Sequence, residues 1–222
     1  MTEPDRTLAR RLARESLERG DATGWFDALY SAAQGDPSVV PWADQTANPN
    51  LLDWLAQRPH EDGRRALVVG CGLGDDAEAL SERGYRVTAF DVSPTAIGWC
   101  RRRFPQSNVN YEVADALSLP AAWRRSFDLI VEIYTLQTLP PELRATAISQ
   151  LASCLAPGGT LLVVARARDV ADEQGTMPWP LTRAELDQFV THGLQSASFA
   201  DFLDSHEAPP VRRFRAEYRR EA

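Results

Sequence analysis

The chain has 222 residues, 44% apolar and 25% charged, with a formal net charge of −7; this is the composition of an ordinary globular protein with one core and an appended segment. No apolar run nears the roughly 18 residues of a membrane span, and the charged N-terminal stretch lacks a signal peptide's apolar centre, so a cytoplasmic protein without a membrane partner is expected. The acidic balance argues against a nucleic-acid partner, three scattered cysteines against a disulfide framework or a zinc site, and the complete absence of lysine against a Schiff base or a P-loop.

Residues 4–19 predict an arginine-rich helix with a narrow apolar side of Leu8, Ala9 and Leu12. Gly20 and Gly24 break the chain before the aromatic patch "GWFDALY". A loop with Pro37 and Pro41 then leads to "PWADQTANPNLLDWL", where Asn48 or Asn50 caps a short helix holding Leu51, Leu52, Trp54 and Leu55. From Ala66 onward, apolar runs of strand length alternate with helical segments, at 66–69, 86–90, 109–113, 127–133 and 160–165. Continuous apolar runs between helices predict parallel strands buried on both faces, hence an α/β, doubly wound sheet. One more helix over 182–190 and strand character at 198–203 and 211–218 complete seven strands. The expected organisation is a helical cap over 1–58 and a core over 59–222, in one structural domain overall.

The informative stretch is "ALVVGCGLGDDAEAL", residues 66–80. A strand that runs into Gly70, Gly72 and Gly74 and then a helix brings backbone N–H groups up to a ligand at the helix N-terminus. The dinucleotide fingerprint G-x-G-x-x-G is not met, because its third glycine position is Asp75. Asp75 and Asp76 would repel a pyrophosphate and suit a ligand bearing an ammonium and a positive sulfur. Asp91, in "AFDVS", ends the second strand, where a carboxylate can accept both hydroxyls of a ribose. The plainer role for Asp91 is a cap for the helix that starts near Pro94.

With "VVGCGLG", "AFDVS", "EVADAL", "FDLIVEI" and "LAPGGTLLVV" in this order, the chain resembles the class I S-adenosylmethionine-dependent methyltransferases. The resemblance runs from about Trp25 to the end. It implies a Rossmann-like, seven-stranded, mostly parallel sheet with helices on both faces. It also implies that Gly70, Cys71, Gly72 and Gly74 face the methionine part of the cofactor and that Asp91, with Val92 and Ser93 beside it, holds the ribose. Asp115 and Ala116 would flank the adenine, and Glu132, Ile133 and Tyr134 would follow the fourth strand into the active site. "APGG" at 156–159 is expected as the turn before the fifth strand. Many members carry an acidic residue two positions before the first glycine, where this chain has Val68; Asp75 or Asp76 is expected to take part of that role.

The flanks, "TGWF…LY…VPWADQTANPNLLDWL", "MPWPLTRAEL" and "RRFRAEYRR", resemble the thiopurine, thiol and halide methyltransferase branch. By that likeness Trp42 packs near the cofactor and helps to close the site, although Trp25, Trp42 and Trp54 serve equally well as core aromatics. Substrate-facing candidates are Trp25, Tyr134, Arg166 and Trp179. The expected protein methylates a small molecule, at a soft nucleophile such as a thiol, using S-adenosylmethionine and releasing S-adenosylhomocysteine. The alternatives are methylation at oxygen or nitrogen of a natural-product intermediate, or a non-catalytic S-adenosylmethionine-binding module. His60, His192 and His206 suggest no general base, no metal is expected, and monomer and homodimer remain open.

Overall fold

The computed structural model describes residues 6–207 and 209–222, and within them it contains a seven-stranded mixed sheet. The strands are β1 (Arg65–Val69), β2 (Arg86–Asp91), β3 (Asn110–Val113), β4 (Phe127–Ile133), β5 (Leu155–Arg166), β6 (Leu194–Asp204) and β7 (Val211–Arg220), in the spatial order β3-β2-β1-β4-β5-β7-β6. β1 pairs with β4, β2 with β3 and β4 with β5 in parallel, whereas β7 runs antiparallel to both β5 and β6. The doubly wound architecture expected from the alternating pattern is the one observed. Continuous apolar runs and buried strands go together here: Leu67, Val68 and Val69 of β1 and Leu129, Ile130 and Val131 of β4 are each at most 2% exposed.

The chain divides into two compact units. One runs up to Gly63 and resumes over Gly70–Asp115; the other comprises Arg64–Val69 and Ala116–Ala222.

The first unit carries α1 (Thr7–Glu18), α2 (Gly24–Ala33), α3 (Pro49–Ala56), α4 (Asp75–Glu82), α5 (Pro94–Arg103), β2 and β3. Position 4, where the sequence places the first helix start, lies outside the described residues. The buried side of α1 is Ala9, Ala13 and Ser16, at helical spacing, with Leu8 and Leu12 half-buried beside it. Asn48, not Asn50, caps α3: its Oδ1 accepts the Asn50 N–H at 2.9 Å, and Pro49 supplies the pre-set φ of a first helical residue. A cluster of Tyr30, Ala33, Val40, Leu73, Ala96 and Trp99 packs α2 and the following loop against the glycine loop and α5.

The second unit holds β1, β4, β5, β6 and β7 with α6 (Pro141–Cys154), α7 (Arg183–Leu186) and α8 (Gln188–Thr191). Two expectations are corrected here. Residues 155–159 are not a turn but the first part of β5: Leu155 pairs with Phe127, the register then shifts, and pairing resumes with Thr160 opposite Leu129, Gly158 taking a φ of +73° in between. The single helix over 182–190 is two short helices that meet at Asp187. Thr182 and Glu185 form a capping box, and the Glu185 carboxylate also pairs with the guanidinium of Arg144, which is only 2% exposed and donates through Nε to the Leu139 carbonyl at 3.1 Å.

Removing one partner of a buried ion pair strands the other in a place where water cannot reach it. Glu185→Ala is therefore expected to cost about 3–5 kcal/mol, read as a fall in the urea midpoint with an unchanged slope. A loss below about 1 kcal/mol would show the pair to be of the weak surface kind.

Candidate functional site

β2 ends at Asp91 because its side chain meets donors there. Asp91 is 6% exposed; its Oδ2 accepts the N–H of Gly72 at 3.0 Å and its Oδ1 accepts the N–H of Ser93 at 2.9 Å. One carboxylate thus joins the glycine loop to the turn after β2. Burial raises its pKa to about 6, with the N–H groups of Ser93, Gly72 and Val92 opposing that rise and the nearby Asp27 carboxylate adding to it. The capping role offered by sequence belongs to Ser93 instead, whose Oγ accepts the Ala96 N–H at 3.0 Å at the start of α5.

The loop itself needs its glycines. Gly70, Gly72 and Gly74 have φ of +57°, +54° and +94°. A Cβ on Gly74 would lie 2.6 Å from the Tyr111 hydroxyl, and one on Gly72 would lie 3.3 Å from the Tyr30 hydroxyl and 3.9 Å from the Trp42 ring. Cys71 donates its N–H to the Phe90 carbonyl at 2.8 Å, and the Cys100 thiol donates to the Gly72 carbonyl at 3.2 Å. The Cys71 thiol, hydrogen-bonded to Cys100 and buried, is pushed well above the usual range, so it is a packing group and not a nucleophile.

Asp75, expected beside the ligand, makes a two-pronged ion pair with Arg103 at 2.8 Å on each oxygen, and Arg103 also donates to the Leu73 carbonyl. Its charge is therefore met inside the unit. Asp76 accepts the Asn48 N–H at 2.7 Å, with a pKa raised by burial to about 6. Val92 and Asp115 are half-buried.

Trp42 lies over the glycine loop. Its Nε1–H donates to the Tyr30 hydroxyl at 2.8 Å, and its ring meets those of Trp25, Phe26 and Tyr30 edge-on at 5.9–6.1 Å. Trp25 is 2% exposed and stacks on Phe26 at 3.8 Å, which makes it part of the packing around α2.

Sequence reasoning missed two residues of α2 that serve this site, Asp27 and Tyr30. Asp27 Oδ1 accepts the Ser93 hydroxyl at 2.6 Å and the Thr95 N–H at 3.0 Å; burial pushes its pKa up, but these hydrogen bonds prevail and leave it below the ordinary value. The Tyr30 phenol, fully buried near Asp91, is pushed well upward. The i, i+3 spacing in "FDALY" puts both on one helical face, but nothing local tells that this face meets residues more than sixty positions away.

In the second unit, Ala116 is 8% exposed and Ile133 half-buried. Glu132 is fully buried at the end of β4. Its Oε1 accepts the N–H groups of Thr135 at 2.7 Å and Leu136 at 2.9 Å, its Oε2 has no partner, and burial lifts its pKa to about 7 against those two hydrogen bonds. Tyr134 follows with a left-handed φ of +65°, held by donation of its N–H to Val164 O at 3.0 Å. The buried Gln137, also missed by sequence, draws Arg166 and Trp179 together: its Oε1 accepts the Arg166 N–H and its carbonyl the Trp179 N–H, both at 2.7 Å.

Residues 66–159 match a family model described as a methyltransferase domain. This stretch is similar to methyltransferase domains. Relatives include the ubiquinone biosynthesis O-methyltransferase of Xanthomonas campestris pv. campestris (strain B100), 37% identical over 118 residues covering 52% of this chain and 48% of that one. The enzyme of the same name from Xylella fastidiosa (strain M23) is 35% identical over 146 residues, 65% of this chain and 58% of that one. The chain spans about half the length of these relatives. Among solved structures, one reported for the conversion of a disulfide bond into a thioacetal group during echinomycin biosynthesis aligns with a TM-score of 0.71 at 23% identity, over 90% of this chain and 91% of that one. The N-methyltransferase NodS of Bradyrhizobium japonicum WM9, in complex with S-adenosylhomocysteine, aligns over the whole of both chains with a TM-score of 0.65 at 22% identity. These likenesses show that the fold is shared. Among the described residues no helix is long and apolar enough to cross a membrane, and no three His, Cys, Asp or Glu gather to hold a metal.

Asp27→Ala removes the acceptor that the Ser93 hydroxyl and Thr95 N–H share, and is expected to cost about 1–3 kcal/mol by urea unfolding; Asp27→Asn, which keeps an oxygen there, should recover most of it. Equal losses in both variants would mean that the charge, not the acceptor, is what α5 needs. Because the Asp27 pKa is lowered, its contribution is present above the unfolded value near 4 and fades as pH falls below it.

Proposed function

We propose that this protein is an S-adenosylmethionine-dependent methyltransferase that methylates a hydroxyl oxygen of a small molecule. The observation that carries the reading is the Asp91 carboxylate. Its oxygens take the N–H groups of Gly72 and Ser93, with the Val92 N–H also turned to the carboxylate, and a carboxylate's four acceptor positions leave capacity for a ribose hydroxyl. Beside it Gly72 leaves the loop without a side chain under Tyr30 and Trp42, where a Cβ would already press on the Tyr30 hydroxyl. These residues fit the cofactor: Gly70, Cys71, Gly72 and Gly74 would lie along its methionine part, Asp91 with Val92 and Ser93 would hold the ribose, and Asp115 would meet the adenine.

When bound, S-adenosylmethionine supplies a methyl group already activated on a positive sulfonium, and S-adenosylhomocysteine is what remains. The protein's task is then to hold the acceptor in line and exclude water, an orientation effect that can supply roughly 7–11 kcal/mol. A hydroxyl acceptor also needs somewhere to put its proton. Glu132 answers that need: Oε1 is tied to backbone N–H groups, and the unpartnered Oε2, on a carboxyl with a pKa of about 7, takes the proton.

Oxygen is favoured over the thiol expected from the flanking segments, because the relatives are named O-methyltransferases and because a thiol would leave a raised-pKa carboxyl without a task. The test is incubation with S-adenosylmethionine and a panel of catechols, phenols, thiols and amines, read by mass spectrometry. Methyl ethers are expected. The wild-type rate should rise as pH passes through about 7, since the base must be ionised, and level off above it. Glu132→Gln should lower kcat by about 10²–10⁴-fold and flatten that rise. Transfer to thiols alone, or a Glu132→Gln enzyme with the wild-type rate and profile, contradicts the proposal.

A further inference from the structure

The second unit buries a cation that nothing so far has used. Arg213, on β7, is 2% exposed. Its Nε lies 3.5 Å from Asp204 Oδ2 and its Nη2 pairs with Glu207, but Nη1 is buried without any partner. A guanidinium carries five N–H donors in a fixed fork, so an empty Nη1 edge is a built-in vacancy for an oxygen acceptor.

Its neighbours show what kind. In the antiparallel β5–β7 ladder Arg213 stands directly opposite Arg166, so both side chains leave the sheet on one face. Like charges opposite each other are unfavourable unless something negative lies between or beside them. Burial and the charge of Arg166 both act on Arg213 to disfavour its charged form, with Asp204 and Tyr134 opposing. The ring of Tyr134 packs on the guanidinium, 4.3 Å from its carbon to the ring centroid, and Tyr134 is the residue whose backbone is held left-handed at the end of β4. Asp204 and Glu207 occupy the Nε and Nη2 edge only. All of this lies at the carboxyl ends of β4 and β5, the edge where doubly wound sheets bind their ligands.

We infer that Arg213, with Arg166 beside it and Tyr134 stacked on it, forms a subsite for a carboxylate carried by the methyl acceptor. The Nη1 edge of Arg213 donates to one carboxylate oxygen and Arg166 adds the second positive charge. The acceptor class is then a hydroxy acid, methylated at the hydroxyl and held by the carboxylate. This assignment rests on the proposed methyl transfer for its purpose, but not for its test.

The test compares 3,4-dihydroxybenzoate with its neutral counterpart 3,4-dihydroxybenzamide, by calorimetric titration and by methyl transfer, on wild type, Arg213→Met and Arg166→Gln. The wild type is expected to prefer the carboxylate by at least about tenfold in both readouts, as befits a charge-assisted hydrogen bond. Arg213→Met should bring the two probes to within about threefold of each other, and Arg166→Gln should shrink the preference less. Should Arg213→Met fail to fold, Arg166→Gln decides alone: an undiminished preference there overturns the subsite. Equal affinity of the wild type for both probes overturns it as well, even if methyl transfer proceeds. Carboxylate-selective binding that Arg213→Met abolishes supports the subsite even where no methyl transfer is seen, which would instead count against the proposed reaction.

Discussion

The arrangement of the first unit depends on one carboxylate that has almost no water. Asp91 accepts a backbone N–H from the glycine loop and another from the turn after β2, and its raised pKa measures what burial there costs. Three glycines in left-handed conformation are a poor way to hold a loop still, since glycine has the most freedom to lose. The Asp91 bridge, the Cys100 thiol on the Gly72 carbonyl and the Arg103 guanidinium on the Leu73 carbonyl together fix a segment that its own sequence leaves free. Asp27 extends the same chain of contacts outward, holding the Ser93 hydroxyl that caps α5. A fixed loop presenting N–H groups beside a half-satisfied carboxylate is what a ribose-bearing ligand requires.

The absence of lysine has a structural counterpart. Arginines repeatedly donate to backbone carbonyls: Arg83 to Leu55 and Arg58, Arg101 to Tyr111, Arg103 to Leu73, Arg144 to Leu139, and Arg220 to Leu155 and Ala152. A lysine offers a strongly hydrated point charge, whereas the planar fork reaches two acceptors at once and tolerates partial burial. The same property lets Arg144 and Arg213 sit at 2% exposure, each held by carboxylates. The two differ in kind: Arg144 is tied into a helix cap, and Arg213 faces the ring of a strained tyrosine at a sheet edge.

The parts legible in the sequence are those where local pattern and long-range packing agree. β1 and the centre of β4 read as apolar runs because Ala66–Val69 and Leu129–Val131 are buried, and the glycine loop announces itself because three successive positive φ values favour glycine. The start of β5 was hidden because "LAPGG" has the composition of a turn, yet a register shift lets it continue the strand. The helix break at Asp187 leaves no mark that periodicity can detect. Asp27, Tyr30 and Gln137 were missed for a shared reason: each is a polar residue whose partners are distant in sequence, so its burial follows from the fold and from nothing nearby. Asp75, placed beside the ligand by its position, carries a charge that Arg103 engages, a pairing that the sequence does not announce.

The central claim is that Asp91, through its remaining acceptor capacity, anchors the cofactor. Calorimetric titration with S-adenosylhomocysteine, on wild type and on an Asp91→Ala variant shown to be folded by its unfolding transition, tests it most directly. The account predicts a dissociation constant on the order of micromolar for the wild type and a loss of at least about tenfold in the variant. No binding to the wild type, or equal binding to a folded Asp91→Ala protein, would contradict it.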